Sequence, residues 1–247
     1  MASVTFEDEI QGAASGGTLS TIILGIEGKT AKPSKSKFDP MYMLNDGVTS
    51  SNFRSKQASP LLLPIKQKDG TYLNPFLMSL VNFDAAKRSV ALRNTGNSNL
   101  SFCEGTVHPD FKSSFVGNIG FMTGLVVLAV TPLRKLLMKM KKIPNPGEGP
   151  TLKQMERGFL RVTGRGIGNK GTEVRSCMYF DVDAGYRDTS RMLIESGLTL
   201  AKNSEKLTVG GGVYTPGFAL GKVLLERLKA SGTSFATKFT EVDGSKL

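Results

Sequence analysis

Apolar residues recur at three- and four-residue spacing across residues 210–232, GGGVYTPGFALGKVLLERLKASG. Leu220, Val223, Leu224 and Leu228 form one stripe there, while Lys222, Glu226, Arg227 and Lys229 fall mostly off it. The spacing predicts a helix. Thr215 is its expected cap, Pro216 sits where a missing N–H costs nothing, and Gly232 ends it in a left-handed position. A short strand over 235–239 follows. The same period in Leu19, Ile22, Ile23 and Ile26 predicts a helix behind the turn GAASGGT. Asn74-Pro75 opens another, with Phe76, Leu77, Leu80, Val81, Ala85, Val90 and Leu92 as its apolar positions and Lys87, Arg88 and Arg93 near its negative end. Residues 186–203 read as a fourth helix, with Met192, Leu193, Leu198, Leu200 and Ala201 toward the core. Strands are expected at 3–7, 71–73 after the Asp69-Gly70 turn, and 100–107. Two more, at 159–163 and 174–182, are joined by a glycine-rich hairpin. A basic linker at 29–37, an extended piece at 39–44 and a loop over 45–60 complete the reading.

The longest apolar run is 119–133, IGFMTGLVVLAVTPL, which carries no charge until Arg134. At fifteen residues it is short of the ~20 a spanning helix needs. Beyond it Leu136, Leu137, Met138 and Met140 interleave with basic residues. One reading is a buried core helix with a solvated basic end. The other is a segment lying on an anionic membrane surface, or docked into a membrane-protein complex, since apolar insertion and a polybasic flank are the two signals that stable anchoring requires. Phe121, Leu125, Val127, Leu128 and Leu133 would then make the apolar contact. Arg134, Lys135, Lys139, Lys141 and Lys142 would make the electrostatic one.

Composition narrows the classes. The 247 residues have an ordinary globular balance and carry a net charge of +11. The basic clusters have none of the aromatic interleaving of a nucleic-acid face, so no nucleic-acid partner is expected. Two distant cysteines and one histidine disfavour a disulfide framework and a zinc site, and no metal is expected. A reducing, intracellular setting is the simplest account. The N-terminus is acidic and lacks a long apolar run, unlike a secretory or Arg-rich transit peptide.

Few motifs carry chemistry. Gly166, Gly168 and Gly171 match G-x-G-x-x-G in GIGNKG, but a strand leaves that glycine loop where a dinucleotide site needs a helix. P-loop and G-x-S-x-G sequences are missing. Asp181 and Asp183 share one side of a strand end, as a solvated terminus would, and Asp188 reads as a charge at a helix start. No catalytic residue is nominated. Glycines precede a helix start twice, at Gly16-Gly17-Thr18 and before Thr215, and such a start can present N–H groups to an anionic or carbonyl ligand. Tyr186 and Tyr214 lie in neighbouring glycine-flanked turns. Gly16, Gly17, Thr18, Tyr186, Tyr214, Thr215 and Gly217 are the candidate ligand-cleft residues.

Three stretches together resemble the saccharopine dehydrogenase-like oxidoreductases, the family that includes the trans-acting enoyl reductases. Residues 210–232 resemble its C-terminal signature. Asp183-Ala184-Gly185-Tyr186-Arg187-Asp188-Thr189-Ser190-Arg191-Met192 resembles its D-P-G-Y-x-x-T-x-x-M element, with Ala184 in place of proline. Ala14-Ser15-Gly16-Gly17-Thr18-Leu19 resembles A-S-G-G-T-[IL]. The resemblance implies an α+β fold, a mixed β-sheet with helices packed on it, as in the second domain of such proteins, with no complete Rossmann domain. It divides the chain into an N-terminal α+β part at 1–117 with a long loop at 29–60, a docking segment at 118–142, and a C-terminal α+β part at 143–247. The family's nicotinamide cradle has no counterpart here, so no cofactor is expected on this chain alone, and NAD(P) only if a Rossmann domain is supplied elsewhere. The resulting expectation is a non-catalytic structural subunit, intracellular and peripherally membrane-associated, with protein subunits as partners. The alternative is the substrate-binding half of an NAD(P)-dependent oxidoreductase.

Overall fold

In the computed structural model, residues 2–12, 14–28, 56–58, 63–67, 69–93, 100–168, 172–207 and 209–240 are described. Strand β1 (Ala2–Gln11) runs through the middle of a mixed sheet. It pairs parallel with β5 (Leu100–His108) on one side and antiparallel with β6 (Phe159–Ile167) on the other. From β6 the sheet continues antiparallel through β7 (Glu173–Phe180) to β8 (Ser234–Thr240). Beyond β5 lie the short β4 (Tyr72–Asn74) and β3 (Ile65–Lys66), while β2 (Lys56–Ala58) pairs parallel along the other half of β5. The order is β3-β4-β5-β1-β6-β7-β8, with β2 beside β5. The expected α+β class with a mixed sheet is the observed one. The described residues contain no doubly wound parallel sheet, since the parallel pairings are β1–β5 and β2–β5.

Eight α-helices accompany the sheet among the described residues: α1 (Gly16–Ile26), α2 (Ser79–Leu92), α3 (Phe111–Ala129), α4 (Thr131–Lys139), α5 (Leu152–Arg157), α6 (Arg187–Lys202), α7 (Pro216–Ala219) and α8 (Gly221–Ala230). Side chains alternate along a strand, so the registers put Phe6, Asp8 and Ile10 on one face with Phe102 and Glu104 of β5 and Leu160 and Val162 of β6. Helix α2 covers this face. Its Phe83 meets Phe102 at 5.6 Å between ring centroids, and Phe6 meets Phe102 at the same separation.

Several expectations need correcting. Asn74-Pro75 does not open a helix. Asn74 ends β4, and α2 begins at Ser79. The 210–232 helix is two helices, broken where Gly221 takes φ +44°, and Thr215 does not cap the first with its side chain. Its hydroxyl instead lies 2.6 Å from Ser89 Oγ of α2. Leu220 and Leu228 of the predicted stripe are buried. Residues 56–58, expected as loop, pair with β5. The basic linker at 29–37, the extended piece at 39–44 and residues 45–55 lie outside the described residues.

The α6 expectation holds only in part: Met192 and Leu198 are half-buried, and Ala201 is exposed. Leu193 and Leu200 are 72 % and 56 % exposed. The face turned inward is Asp188, Arg191, Glu195 and Thr199, at spacings of three, four and four. Asp188 lies in the first turn of α6, as expected of a helix-start charge, and is also buried, taking a two-pronged ion pair from Arg191 at 2.7 and 2.9 Å. Arg191 also donates to Leu228 O, Ser231 Oγ and Thr233 Oγ1, and Arg227 of α8 pairs with Glu195 at 2.8 Å. Helices α6 and α8 are thus joined by a satisfied ionic seam. Removing one partner of a buried pair strands the other's charge, at a cost of about 3–5 kcal/mol. Arg191→Ala should therefore lower the urea-unfolding free energy by about 3 kcal/mol, whereas Leu193→Ala, on the solvent side, should change it by less than about 0.5 kcal/mol.

Candidate functional site

Between α2 and the sheet lies a mostly apolar cavity of about 530 Å³. Phe6, Phe76 and Phe102 give it aromatic walls, and the turn at Ala184-Gly185 closes one side. Two acids stand among these apolar groups. Asp8 and Glu104, from adjacent parallel strands, are 3 % and 6 % exposed and both line the cavity. Asn82 of α2 donates to Glu104 Oε1 at 2.8 Å. Counted as two carboxylates, Asp8 Oδ2 and Glu104 Oε2 have no donor. With one proton held between them, both are satisfied.

The electrostatics agree with one shared proton. Burial, the Glu104 charge and a hydrogen bond to Glu104 push Asp8 up to about 7. Burial also raises Glu104, while the bonds it accepts from Asn82 and Asp8 act the other way. Asp8 is thus the member that keeps the proton, and the pair titrates as a unit. No lysine or arginine among the described residues bears on either carboxyl.

The predicted cleft residues fall into two groups. Gly16, Thr18 and Tyr186 do meet. Tyr186 Oη accepts from Ser15 N at 2.8 Å and lies 3.0 Å from Thr18 Oγ1. Yet this helix start is occupied by the protein itself. Ser15 caps it, accepting from Thr18 N, Gly16 N donates to Glu148 O at 2.9 Å, and a Cβ on Gly16 would sit 1.8 Å from Asn145 O. Gly16 is required for close backbone contact, and Gly17 is exposed. The second group is separate: Tyr214 packs on Phe218, Thr215 meets Ser89, and Gly217 O accepts from Arg93. The apparent GIGNKG fingerprint is part of the β6–β7 hairpin as far as it is described, with Gly168 N donating to Thr172 O. Residues 169–171 lie outside the description.

Sequence reading missed the acid pair because Asp8 and Glu104 are 96 residues apart and only strand register unites them. Glu104 lies inside the strand expected at 100–107, but Asp8 falls one residue beyond the strand expected at 3–7. Asp183 is buried and accepts from Tyr186 N, whereas Asp181 is exposed, so those two do not act together.

The apolar run belongs to α3, which starts earlier than expected. Asp110 caps it, accepting from Ser113 N at 2.9 Å. Val130 breaks the chain before α4. Helix α3 rests on the sheet through small and polar residues. Ser114 is fully buried and bonds Asn74, Asn118 is 7 % exposed, and Gly117 lies against His108. The opposite face carries Phe111, Phe115, Val116, Ile119 and Val126, all exposed. Only 11 % of its most apolar stretch is buried, and it is the helix among the described residues long and apolar enough to cross a membrane. The buried-core reading of this run is therefore corrected. Of the predicted contacts, Phe121, Leu125, Val127 and Leu128 are half-buried and Leu133 is exposed. Lys135, Lys139, Lys141 and Lys142 are exposed. Arg134 is buried, paired with Glu27 at 2.6 Å and donating to Leu128 O, so it ties α4 to α1 rather than facing outward.

Comparison with known proteins gives relatives. The chain is 31 % identical over 247 residues to a "Putative trans-acting enoyl reductase" of Mycobacterium tuberculosis, covering 92 % of this chain and 57 % of that protein. It is 28 % identical over 175 residues to a trans-acting enoyl reductase of Mycobacterium bovis (68 % and 41 %) and 39 % identical over 89 residues to one of Mycobacterium ulcerans (36 % and 21 %). The chain thus spans little more than half the length of the first of these relatives. No family profile matches it, and no solved structure matches it. What the comparisons establish is similarity to proteins named enoyl reductases.

The acid pair makes stability pH-dependent in a stated direction. Folded Asp8 keeps its proton at pH values where the unfolded chain, titrating near ~3.9, has released it. Stability therefore falls as pH rises from about 4 through about 7, by at most about 4 kcal/mol. Asp8→Asn keeps the shape and removes the charge. Its urea-unfolding free energy should match the wild type within about 1 kcal/mol at pH 5 and exceed it by about 2 kcal/mol at pH 8.5. Equal differences at both pH values would exclude a proton held by Asp8.

Proposed function

We propose that this chain is an accessory subunit related to the saccharopine dehydrogenase-like oxidoreductases, and that it docks on an anionic membrane surface through α3 and α4. The observation that carries this reading is the inverted seating of α3. Its buried residues are the polar Ser114 and Asn118, while Phe111, Phe115, Val116, Ile119 and Val126 are exposed and Phe121, Leu125, Val127 and Leu128 are half-buried. Large apolar residues exposed together along one helix mark an interaction surface. Exposed Lys135, Lys139, Lys141 and Lys142 follow the end of α3 and supply the attraction to anionic headgroups. The location is intracellular and peripheral, and a membrane-protein assembly is the other host that the same face fits.

A second reading is favoured by the cavity. An apolar pocket with a few convergent polar groups is the usual form of a small-molecule site. On this reading the chain is the substrate-binding half of an NAD(P)-dependent oxidoreductase, with the nicotinamide cofactor held by another domain. The names of the relatives support a link to enoyl reduction; fold alone does not supply the activity.

Two measurements separate these readings. The chain should sediment with vesicles containing phosphatidylserine. The triple change Phe115→Ser, Val116→Ser, Ile119→Ser should lower the partition coefficient at least tenfold, given ~0.8 kcal/mol per buried methylene, with thermal unfolding unchanged because these side chains already face solvent. Undiminished sedimentation of the triple variant would reject docking through α3. Titration with NADPH should show no binding, and ordinary micromolar affinity would replace the accessory reading with the enzymatic one.

A further inference from the structure

We infer that the cavity under α2 is a binding site for an organic ammonium: a primary or secondary amine carrying an apolar or aromatic body, held between the Asp8 and Glu104 carboxylates.

This goes beyond both readings above and depends on neither. It starts from the charge. A pair holding one proton carries a net charge of −1 inside an apolar cavity. A buried charge of this kind requires a counter-ion, and none of the described residues that line the cavity supplies one. Helix α2 and the residue before it contribute Asn82, Ala86 and Met78; β6 contributes Leu160 and Val162; the turn contributes Ala184 and Gly185. Among the described residues that line the cavity, the titratable groups are the two acids themselves.

Donor geometry selects the ligand further. Asn82 already serves Glu104 Oε1, leaving Asp8 Oδ2 and Glu104 Oε2 as buried acceptors once the shared proton departs. A hydroxyl offers one donor and a carbonyl none, whereas an alkylammonium offers three on one atom together with a full positive charge. A carboxylate or phosphate ligand is excluded by repulsion. The walls suit the remainder of such a molecule. Phe6, Phe76 and Phe102 line the cavity, and aromatic faces attract a cation through their quadrupole while burying hydrocarbon. The volume of about 530 Å³ lies within the range of small-molecule sites.

Binding displaces the proton. Asp8–H and Glu104 carboxylate plus RNH3+ become two carboxylates flanking RNH3+, with one H+ released to solvent. Affinity is therefore linked to pH, and the linkage needs no altered protein to detect.

The test uses the full chain and phenethylamine, with 2-phenylethanol as a neutral probe of the same shape, by isothermal titration calorimetry. Phenethylamine should bind at least tenfold more tightly than the alcohol at pH 8. Its affinity should rise roughly tenfold per pH unit between about pH 5 and pH 7 and level off above. Titrations at pH 6 in two buffers of different ionisation enthalpy should show close to one proton released per amine bound. Asp8→Asn and Glu104→Gln should each weaken the amine at least tenfold and leave the alcohol unchanged. Should either variant fail to fold, proton release by the wild type still decides. Absence of amine binding, equal affinity for the alcohol, or binding without proton release would each overturn the site.

Discussion

The register of β1 is the constraint on which the rest depends. It is bonded on both edges, parallel to β5 and antiparallel to β6, and so fixes which residues of three strands share a face. A slip of one residue would turn Phe6, Asp8 and Ile10 to the opposite side and bring Thr5, Glu7 and Glu9 beneath α2. The aromatic contacts among Phe6, Phe102 and Phe83 hold the observed register. The same pairing that buries these rings also sets two acids side by side, so hydrophobic registration carries an electrostatic cost in its centre.

Two helices obey a rule opposite to the usual one. In α3 and α6 the fully buried side chains are polar, and much of the large apolar surface is exposed or half-buried. The contacts that seat them differ. Helix α3 uses small residues that permit close approach, with Ser114 and Asn74 bonded twice over. Helix α6 uses charge, with each buried acid matched by an arginine. In both cases specific polar pairing does the work that nonspecific burial does elsewhere, and apolar side chains are released to face outward.

That inversion explains where the sequence was legible and where it was not. Most strands were readable because alternation and turn residues are local: the 159–163 and 174–182 predictions land in β6 and β7, and Asp69-Gly70 turns before β4. The α+β class followed from the same signals. The core face of α6 was misassigned because periodicity identifies a stripe without saying which stripe is inward, and Leu193 and Leu200 were the more apolar choice. The helix was expected behind the turn that ends at Thr18 and begins two residues earlier, at Gly16, and nothing local announces that Glu148 and Asn145 arrive to fill its start. The acid pair was illegible for the same reason, since its members are joined through sheet pairing and by no motif. Arg134 looked like one more member of a basic cluster until its tertiary partner Glu27 came into view.

The molecule contains one imidazole, and burial against Gly117 lowers its proton affinity from the ordinary histidine value. A change in behaviour near neutral pH would by habit be assigned to that ring. Among the described residues, Asp8 is an aspartic acid pushed up to about 7, so a carboxyl changes charge in the neutral window. Reagents that modify imidazole would leave such a transition in place, and the spectroscopic sign of it would be the loss of a carboxylic C=O stretch in the infrared.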